Sequence, residues 1–302
     1  MQKIFIWVVV AFGLLSAGCA TVAPEQTPRV AIISAFQPEL TLLLSKVEQP
    51  KKQSINGVEF TTGMLQGKPV VVFLSGISMT NAAMTTQLAL DRFKVTHVLF
   101  SGIAGGVNPE LKVGDVVVAE RWGQYLEVLA ARETAPGRYQ APGWMDDVKL
   151  PNFGIWHPRP VGVRSTAHPG GEKKFWFESD AALLQVAKRA ADVKLDRCDV
   201  KNQCLTHTPR VLVGGNGVSG QAFVDNAAFR EYTFKTFTAN VLDMETAATA
   251  MVAYSNGVPF IAFRSLSDLA GGGEGENEIG TFFRLAADNS ARVLLAFLAA
   301  WK

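Results

Sequence analysis

The chain has 302 residues, 48% of them hydrophobic and 19% charged, and a net charge of +2. That is ordinary globular composition, enough for one large core or two small ones. It holds no dense run of lysine and arginine, so a nucleic-acid surface is not indicated.

The N-terminus differs from the rest. Lys3 precedes an apolar run at residues 4–15, followed by Ser16, Ala17, Gly18 and Cys19. A short positive start, about a dozen apolar residues and small residues before a cut site describe a secretory signal. The run is shorter than the roughly 20 residues a membrane-spanning helix needs. Cys19 after Ala-Gly is similar to a bacterial lipobox, in which the cysteine becomes the lipidated first residue. Leu15 stands one place further out than the usual pattern. The alternative is ordinary cleavage after Ala23 with a soluble periplasmic product. Both readings set residues 1–19 apart as a signal, make residues 20–28 a tether and leave residues 29–302 as the folded domain. Both place the protein in a bacterial envelope, periplasmic or membrane-anchored.

Residues 29–35 (RVAIISA) have the apolar, β-branched pattern of a buried first strand. Pro38 suits the first turn of a helix, where its missing N–H costs nothing, and so puts Glu39 in that turn beside the strand end. The helix dipole alone favours an acid there, so the local pattern gives Glu39 no role by itself. Residues 58–64 and 69–74 read as a hairpin, and residues 79–93 as a helix. Residues 97–100 read as a short strand that enters the glycine loop SGIAGG at 101–106. Such glycines allow close backbone approach to a ligand and expose N–H groups, or make a plain tight turn. Residues 116–119 form the next strand.

Residues 120–174 break this rhythm. They hold Trp122, Trp144, Trp156 and a proline-rich run without a clean period. A stretch of that length inside a compact domain is functional or a packed insertion, here at about 121–175. His157 and His168 lie in it, and isolated loop histidines are more often structural than catalytic.

A helix with a serine N-cap follows at 179–191, then a strand at 210–214. A loop at 215–224 contains Phe223, either core or a stacking surface. Residues 226–236 read as a helix, 269–277 as a mobile loop rich in glycine and acid, and 279–298 as a closing amphipathic helix. Cys198 and Cys204 share a polar stretch, and an exported protein meets an oxidising compartment, so they are expected to form a local disulfide. A metal site there needs more ligands than His207 adds.

Residues 241–268 (VLDMETAATAMVAYSNGVPFIAFRSLSD) read as strand, helix, strand. In a βαβ unit the parallel strands put both C-terminal ends on one sheet edge, and Glu245 and Asp268 with them. Ligands of open α/β sheets bind at such an edge. The alternation of strands and helices along the whole chain predicts an α/β fold: three αβα layers around a mixed central sheet.

Several stretches coincide with one family. They are AIISAFQPELTLLL at 31–44, TTGMLQGKPVVVFLSGISMTNAA at 61–83, SGIAGGVNPELKVGDVVVAE at 101–120, SGQAFVDN at 219–226, DMETAATA at 243–250 and VPFIAFRSLSD at 258–268. In these the chain resembles the purine/uridine nucleoside phosphorylase superfamily, and especially its hydrolytic branch, the methylthioadenosine/S-adenosylhomocysteine nucleosidases. The resemblance covers most of residues 30–298, omitting much of 121–175. The cysteine loop and the LAGGGEGE stretch look more like plant bark storage proteins of the same superfamily.

The resemblance implies a nucleoside phosphorylase-like fold and a division of labour. Asp268 would protonate N7 of a departing purine, and Glu39 would activate the attacking water. Glu245 would hold the ribose hydroxyls, with Met244 under the sugar. Phe223 would stack on the base and the Val224 backbone would read its edge. Backbone at Ala35 and at Ile103, Ala104 and Gly105 would line the water and ribose side. Ser267, beside the acid, joins the substrate-binding set. The partner would be a small nucleoside, with no metal or organic cofactor, and the protein a homo-oligomer.

The chemistry asks for these residue types. Cleaving an N-glycosidic bond builds positive charge on the sugar and negative charge on the base, so one acid must give a proton and one carboxylate must orient water. Asp268 therefore needs a raised pKa. The alternatives are a phosphate-dependent phosphorylase and a nucleoside-binding or storage-type protein with little catalysis. Phosphorylases of this superfamily carry arginines in the first glycine loop and just before the central one, because a dianion needs cationic donors. Here Ser34-Ala35-Phe36-Gln37 and Leu99-Phe100-Ser101 have none, which favours water. Two departures from the hydrolase pattern stand out: Ile103 in place of Ser or Thr, and Ser78 in place of a glycine in the SGIG turn.

Overall fold

The computed structural model describes residues 25–145, 147 and 149–302. The signal-like segment, Cys19 and the first part of the expected tether lie outside the described residues. The first half of the chain forms β1 (Glu25–Ser34), α1 (Gln37–Leu44), β2 (Glu48–Ile55), β3 (Val58–Leu65), β4 (Lys68–Leu74), α2 (Met79–Arg92), β5 (Phe93–Gly106), β6 (Val116–Val118) and β7 (Arg121–Gln124). The inserted region adds β8 (Val128–Ala130), β9 (Arg132–Ala135), β10 (Arg138–Gln140), β11 (Trp156–Pro158), β12 (Val161–Val163), β13 (Glu172–Lys174) and β14 (Trp176–Glu178). The last part forms α3 (Ala181–Arg189), β15 (Val211–Val213), β16 (Asn216–Ser219), α4 (Ala227–Phe237), β17 (Ala239–Asp243), α5 (Thr246–Ser255), β18 (Phe260–Asp268) and α6 (Ile279–Ala300).

Strand alternation produces three layers. Successive side chains of a strand point to opposite faces. Ala31 and Ile33 of β1, Val71 and Phe73 of β4, and Val98 and Phe100 of β5 join one core with Ala89 of α2 and Ala247, Ala250 and Ala253 of α5. The residues between them, Val30, Ile32, Val70, Val72 and Leu99, join a second core with Leu40 and Leu43 of α1 and Val293, Leu294 and Phe297 of α6. Such strands, buried on both faces, read as unbroken apolar runs. The sheet between the two helical layers is mixed: β5 runs parallel to β1 and β18 but antiparallel to β17.

Five expectations change. β1 begins at Glu25, inside the stretch read as tether, and Glu25 pairs with Phe93. The glycine loop at 101–106 is the second half of β5, which continues through Gly106. Asn216–Ser219, read as loop, is a buried strand between β7 and β17; four residues with a glycine and no apolar run give no periodic signal. The N-cap of α3 is Asp180, which accepts from Leu183 N at 3.0 Å, while the Ser179 hydroxyl bonds Ala119 O.

The fifth change bears on the site. β17 and β18 are not a parallel βαβ pair. They lie on either side of β5 and run in opposite senses, Leu242 opposite Gly105 on one side and Asp268 opposite Gly105 on the other. The two acid-bearing ends still converge, because both meet the glycine-rich tip of β5.

The insertion is packed rather than structureless. Its ends, β7 and β14, extend the main sheet, and β8–β11, β9–β10 and β12–β13 form three small pairs. Cys198 and Cys204 are joined by a disulfide. His207 Nε2 meets Val113 O at 2.9 Å, which ties the following segment down. Among the described residues no group of His, Cys, Asp and Glu is arranged to hold a metal ion.

Candidate active site

A cavity of about 310 Å³ opens where β1, β5, β17 and β18 end. Ala35, Glu39, Ile103, Ala104, Gly105, Phe223, Val224, Met244, Glu245, Ser267 and Asp268 all line it, so every expected substrate-side residue meets in one place. His157 and His168 do not.

Glu39 is almost fully buried. Pro38 lies in the first turn of α1, and the Glu39 side chain turns back over the helix start. Its Oε2 accepts from Ala35 N at 2.6 Å and Phe36 N at 3.3 Å, and its Oε1 from Ile103 N at 2.8 Å. Burial pushes its pKa up, against Arg264 and those three N–H donors. Gly102 makes this possible: a Cβ there would overlap both Glu39 Oε1 and Arg264 Nη1.

Asp268 closes β18, every residue of which is buried. Its Oδ2 accepts from the Ser267 hydroxyl and its Oδ1 from Ala270 N, both at 2.8 Å. Burial raises its pKa; Ser267, Ala270 and Asn277 oppose that rise, while the Glu278 charge adds to it. This is the setting a carboxyl needs to keep a proton above the usual carboxylate range.

Glu245 occupies the N-cap position of α5, with its side chain turned away from the helix's own N–H groups. Its Oε1 accepts from Ser78 N at 2.8 Å, and its Oε2 stands 3.3 Å from Arg264 Nη2. Burial pushes its pKa up to about 7, with Arg264 opposing and the Asp243 charge adding to the rise.

Arg264 joins these groups. It is fully buried, with its guanidinium carbon 4.2 Å from the centre of the Phe100 ring. Nε lies 2.7 Å from Asp243 Oδ2, Nη2 reaches Glu245, and Nη1 donates to Ile103 O at 3.0 Å and stands 3.7 Å from Glu39 Oε1. One cation thus serves three carboxylates. Asp243 is held in turn by the hydroxyls of Ser219 and Thr246.

No lysine or arginine lines the cavity. Arg264, beneath it, is already committed to three acids and a carbonyl. Phe223 is 55% exposed, which excludes a core role and leaves its ring open toward the cavity.

The sequence profile of the Phosphorylase superfamily matches residues 29–299. The chain belongs to the phosphorylase superfamily. A 5′-methylthioadenosine/S-adenosylhomocysteine nucleosidase of Bacillus licheniformis is 32% identical over 273 residues, spanning 89% of this chain and 98% of that relative. A nucleosidase of the same name from Geobacillus thermodenitrificans is 31% identical, spanning 89% and 96%. The crystal structure of the Neisseria meningitidis nucleosidase in complex with methylthio-immucillin-A shares the fold with a TM-score of 0.65. It is 28% identical and is matched over 90% of this chain and 98% of that one.

Two departures from the hydrolase pattern can be placed in this phosphorylase-superfamily site. Ile103 contributes its N–H to Glu39 and its carbonyl to Arg264, so its backbone does the bonding while its side chain adds an apolar wall. Ser78 has φ 86° and ψ 153°, a region that strongly favours glycine. Sequence reasoning gave no role to Asp243, Phe36, Ile77, Ala222, Leu242 or Ile279, which also line the cavity. Asp243 had a readable signal: an acid directly after the apolar Val241-Leu242, two residues before Glu245. The others are apolar or small and give no chemical signal in sequence.

Proposed function

We propose that this protein hydrolyses the N-glycosidic bond of purine nucleosides of the 5′-methylthioadenosine/S-adenosylhomocysteine type, releasing the free base and the ribose moiety. The observation that carries the reading is the set of Glu39, Glu245 and Asp268 around one cavity whose lining has no cationic side chain. The names of the nucleosidase relatives support the substrate class.

In this reading Phe223 stacks on the purine and ionised Glu245 accepts from the ribose hydroxyls. The C1′–N9 bond breaks with its electron pair going to the base, and Asp268 passes its proton to N7. Water adds to C1′ and gives a proton to Glu39. Each proton-transfer group contributes typically about 10²–10⁴-fold. Phosphate is disfavoured as the nucleophile, because a dianion would face Glu39 and Glu245 in a cavity whose lining carries no lysine or arginine. Purified protein incubated with methylthioadenosine should release adenine, whereas binding without base release would sink the reading.

We propose further that the chain is exported and held in a bacterial envelope. The support is Lys3, the apolar residues 4–15 and the lipobox-like Cys19 in sequence, together with the Cys198–Cys204 disulfide. Metabolic labelling with a fatty acid, lost in Cys19→Ala, tests the anchor. The homo-oligomer expected from the resemblance belongs to the same proposal, and sedimentation of the purified protein tests it. Met84 of α2 is 61% exposed and Ile77, at the cavity, 51% exposed, which leaves apolar side chains uncovered.

A further inference from the structure

Ser78 holds a conformation that a side chain rarely adopts. Strain of that kind persists only where neighbouring contacts fix it. The Ser78 N–H donates to Glu245 Oε1 at 2.8 Å, so the turned backbone aims a donor at that carboxylate. The Ser78 hydroxyl donates to Gln221 Oε1 at 3.0 Å, and the Thr80 hydroxyl donates to the same oxygen at 3.1 Å. A glycine would make the first contact without strain. Only a hydroxyl makes the second, so the bond to Gln221 is what serine adds here.

Gln221 belongs to the segment that carries Phe223 and Val224. That segment is anchored at both ends: Gly220 N donates to Asp243 O at 3.0 Å, and Asn226 N to Ala270 O at 3.1 Å. Between these anchors, Gln221 is bonded across to the turn at residues 75–78 and the start of α2. Ile77 on that side and Phe223 on the other are 51% and 55% exposed, so they form the two lips of the cavity.

We propose that Ser78 is a positioning residue which, with Thr80, clasps Gln221 across the cavity mouth and holds the Phe223 platform against the wall that carries Glu245. This rests on the nucleosidase reading above. Glu39 is held by Ala35, Phe36 and Ile103, and Asp268 by Ser267 and Ala270, so neither depends on the clasp. The clasp therefore acts on nucleoside binding and not on bond cleavage.

Four variants separate the contributions. Ser78→Ala keeps the Cβ and its strain but removes the hydroxyl. Ser78→Gly removes both. Gln221→Leu removes the acceptor at similar size, and Gln221→Glu keeps carboxylate oxygens for both hydroxyls. Initial rates of adenine release from methylthioadenosine give kcat and KM for each. Loss of a neutral hydrogen bond predicts a KM raised about three- to ten-fold in Ser78→Ala, Ser78→Gly and Gln221→Leu, with kcat within about two-fold. Gln221→Glu should recover most of the lost affinity, and Ser78→Gly should melt above Ser78→Ala.

An unchanged KM in Ser78→Ala or Gln221→Leu overturns the clasp. So does a fall in kcat and melting temperature with KM untouched, which marks a structural role. If the wild type turns over no nucleoside, the nucleosidase reading fails on its own. The clasp is then decided by calorimetric binding of adenine to the same variants, with equal affinities overturning it.

Discussion

Asp268 and Glu39 are pushed the same way by burial, yet the proposed hydrolysis asks opposite things of them. Asp268 must carry a proton to give, and its donors among the described residues are the Ser267 hydroxyl, Ala270 N and the more distant Asn277. Glu39 must take a proton, and it has Arg264 and three N–H groups to favour its charged form. Asp268→Asn and Glu39→Gln should each lower kcat by about 10²–10⁴ while the fold is kept; steady-state rates with circular dichroism as control check this. Glu245 must be ionised to accept from two hydroxyls, and its pKa is raised to about 7. kcat/KM should therefore fall as pH drops through about 7. The Asp243 charge adds to that rise, so Asp243→Asn should move this acid limb to lower pH. Arg264 keeps Glu39 and Glu245 as partners in that variant, so the change does not strand a buried cation. An acid limb that stays in place would show that Asp243 does not act on Glu245.

At the scale of elements, the tip of β5 decides the geometry. Its glycines let Glu39 and Arg264 cross Gly102 and let Asp268 approach Gly105, where a Cβ would stand 3.2 Å from Asp268 Oδ1. Gly102→Ala should lower the melting temperature and cut kcat/KM by at least about ten-fold, because the overlapping atoms belong to a buried ion pair rather than a flexible end. The long apolar runs of β1, β4 and β18 were legible in sequence because burial on both faces leaves an unbroken signal. The glycine half of β5 was not, since its residues fit a loop as well as a strand. β2 (EQPKKQSI) was missed for the opposite reason: it is an exposed edge strand with proline and lysines, which guard an edge but erase alternation. That Glu245 and Asp268 share a sheet edge was legible in their strand-helix-strand pattern, whereas Glu39 was brought to the cavity only by the resemblance, because its local pattern was that of any first-turn acid. What sequence could not show was the Arg264 hub, which depends on β17 and β18 flanking β5 in opposite senses.

For the whole molecule, Glu39, Glu245 and Asp268 all have raised pKa values in the folded state. The native protein therefore holds protons that the unfolded chain has released, and stability falls as pH rises across that window. For Glu245 the window runs from the ordinary glutamate value of about 4.3 up to about 7. Melting should occur at higher temperature near pH 5.5 than near pH 8, and Glu245→Gln should shrink the difference; a melting temperature that rises over this range would contradict the sign. These three acids face one cavity, where the burial that costs stability also raises the pKa values on which the proposed cleavage draws.

The central claim is that water, not phosphate, receives the ribosyl group. The most direct measurement follows adenine release from methylthioadenosine by the purified protein in phosphate-free buffer and again with added phosphate. The cavity without a cationic lining predicts release at the same rate in both, with free methylthioribose as the second product. Release that depends on phosphate and yields methylthioribose 1-phosphate would contradict it.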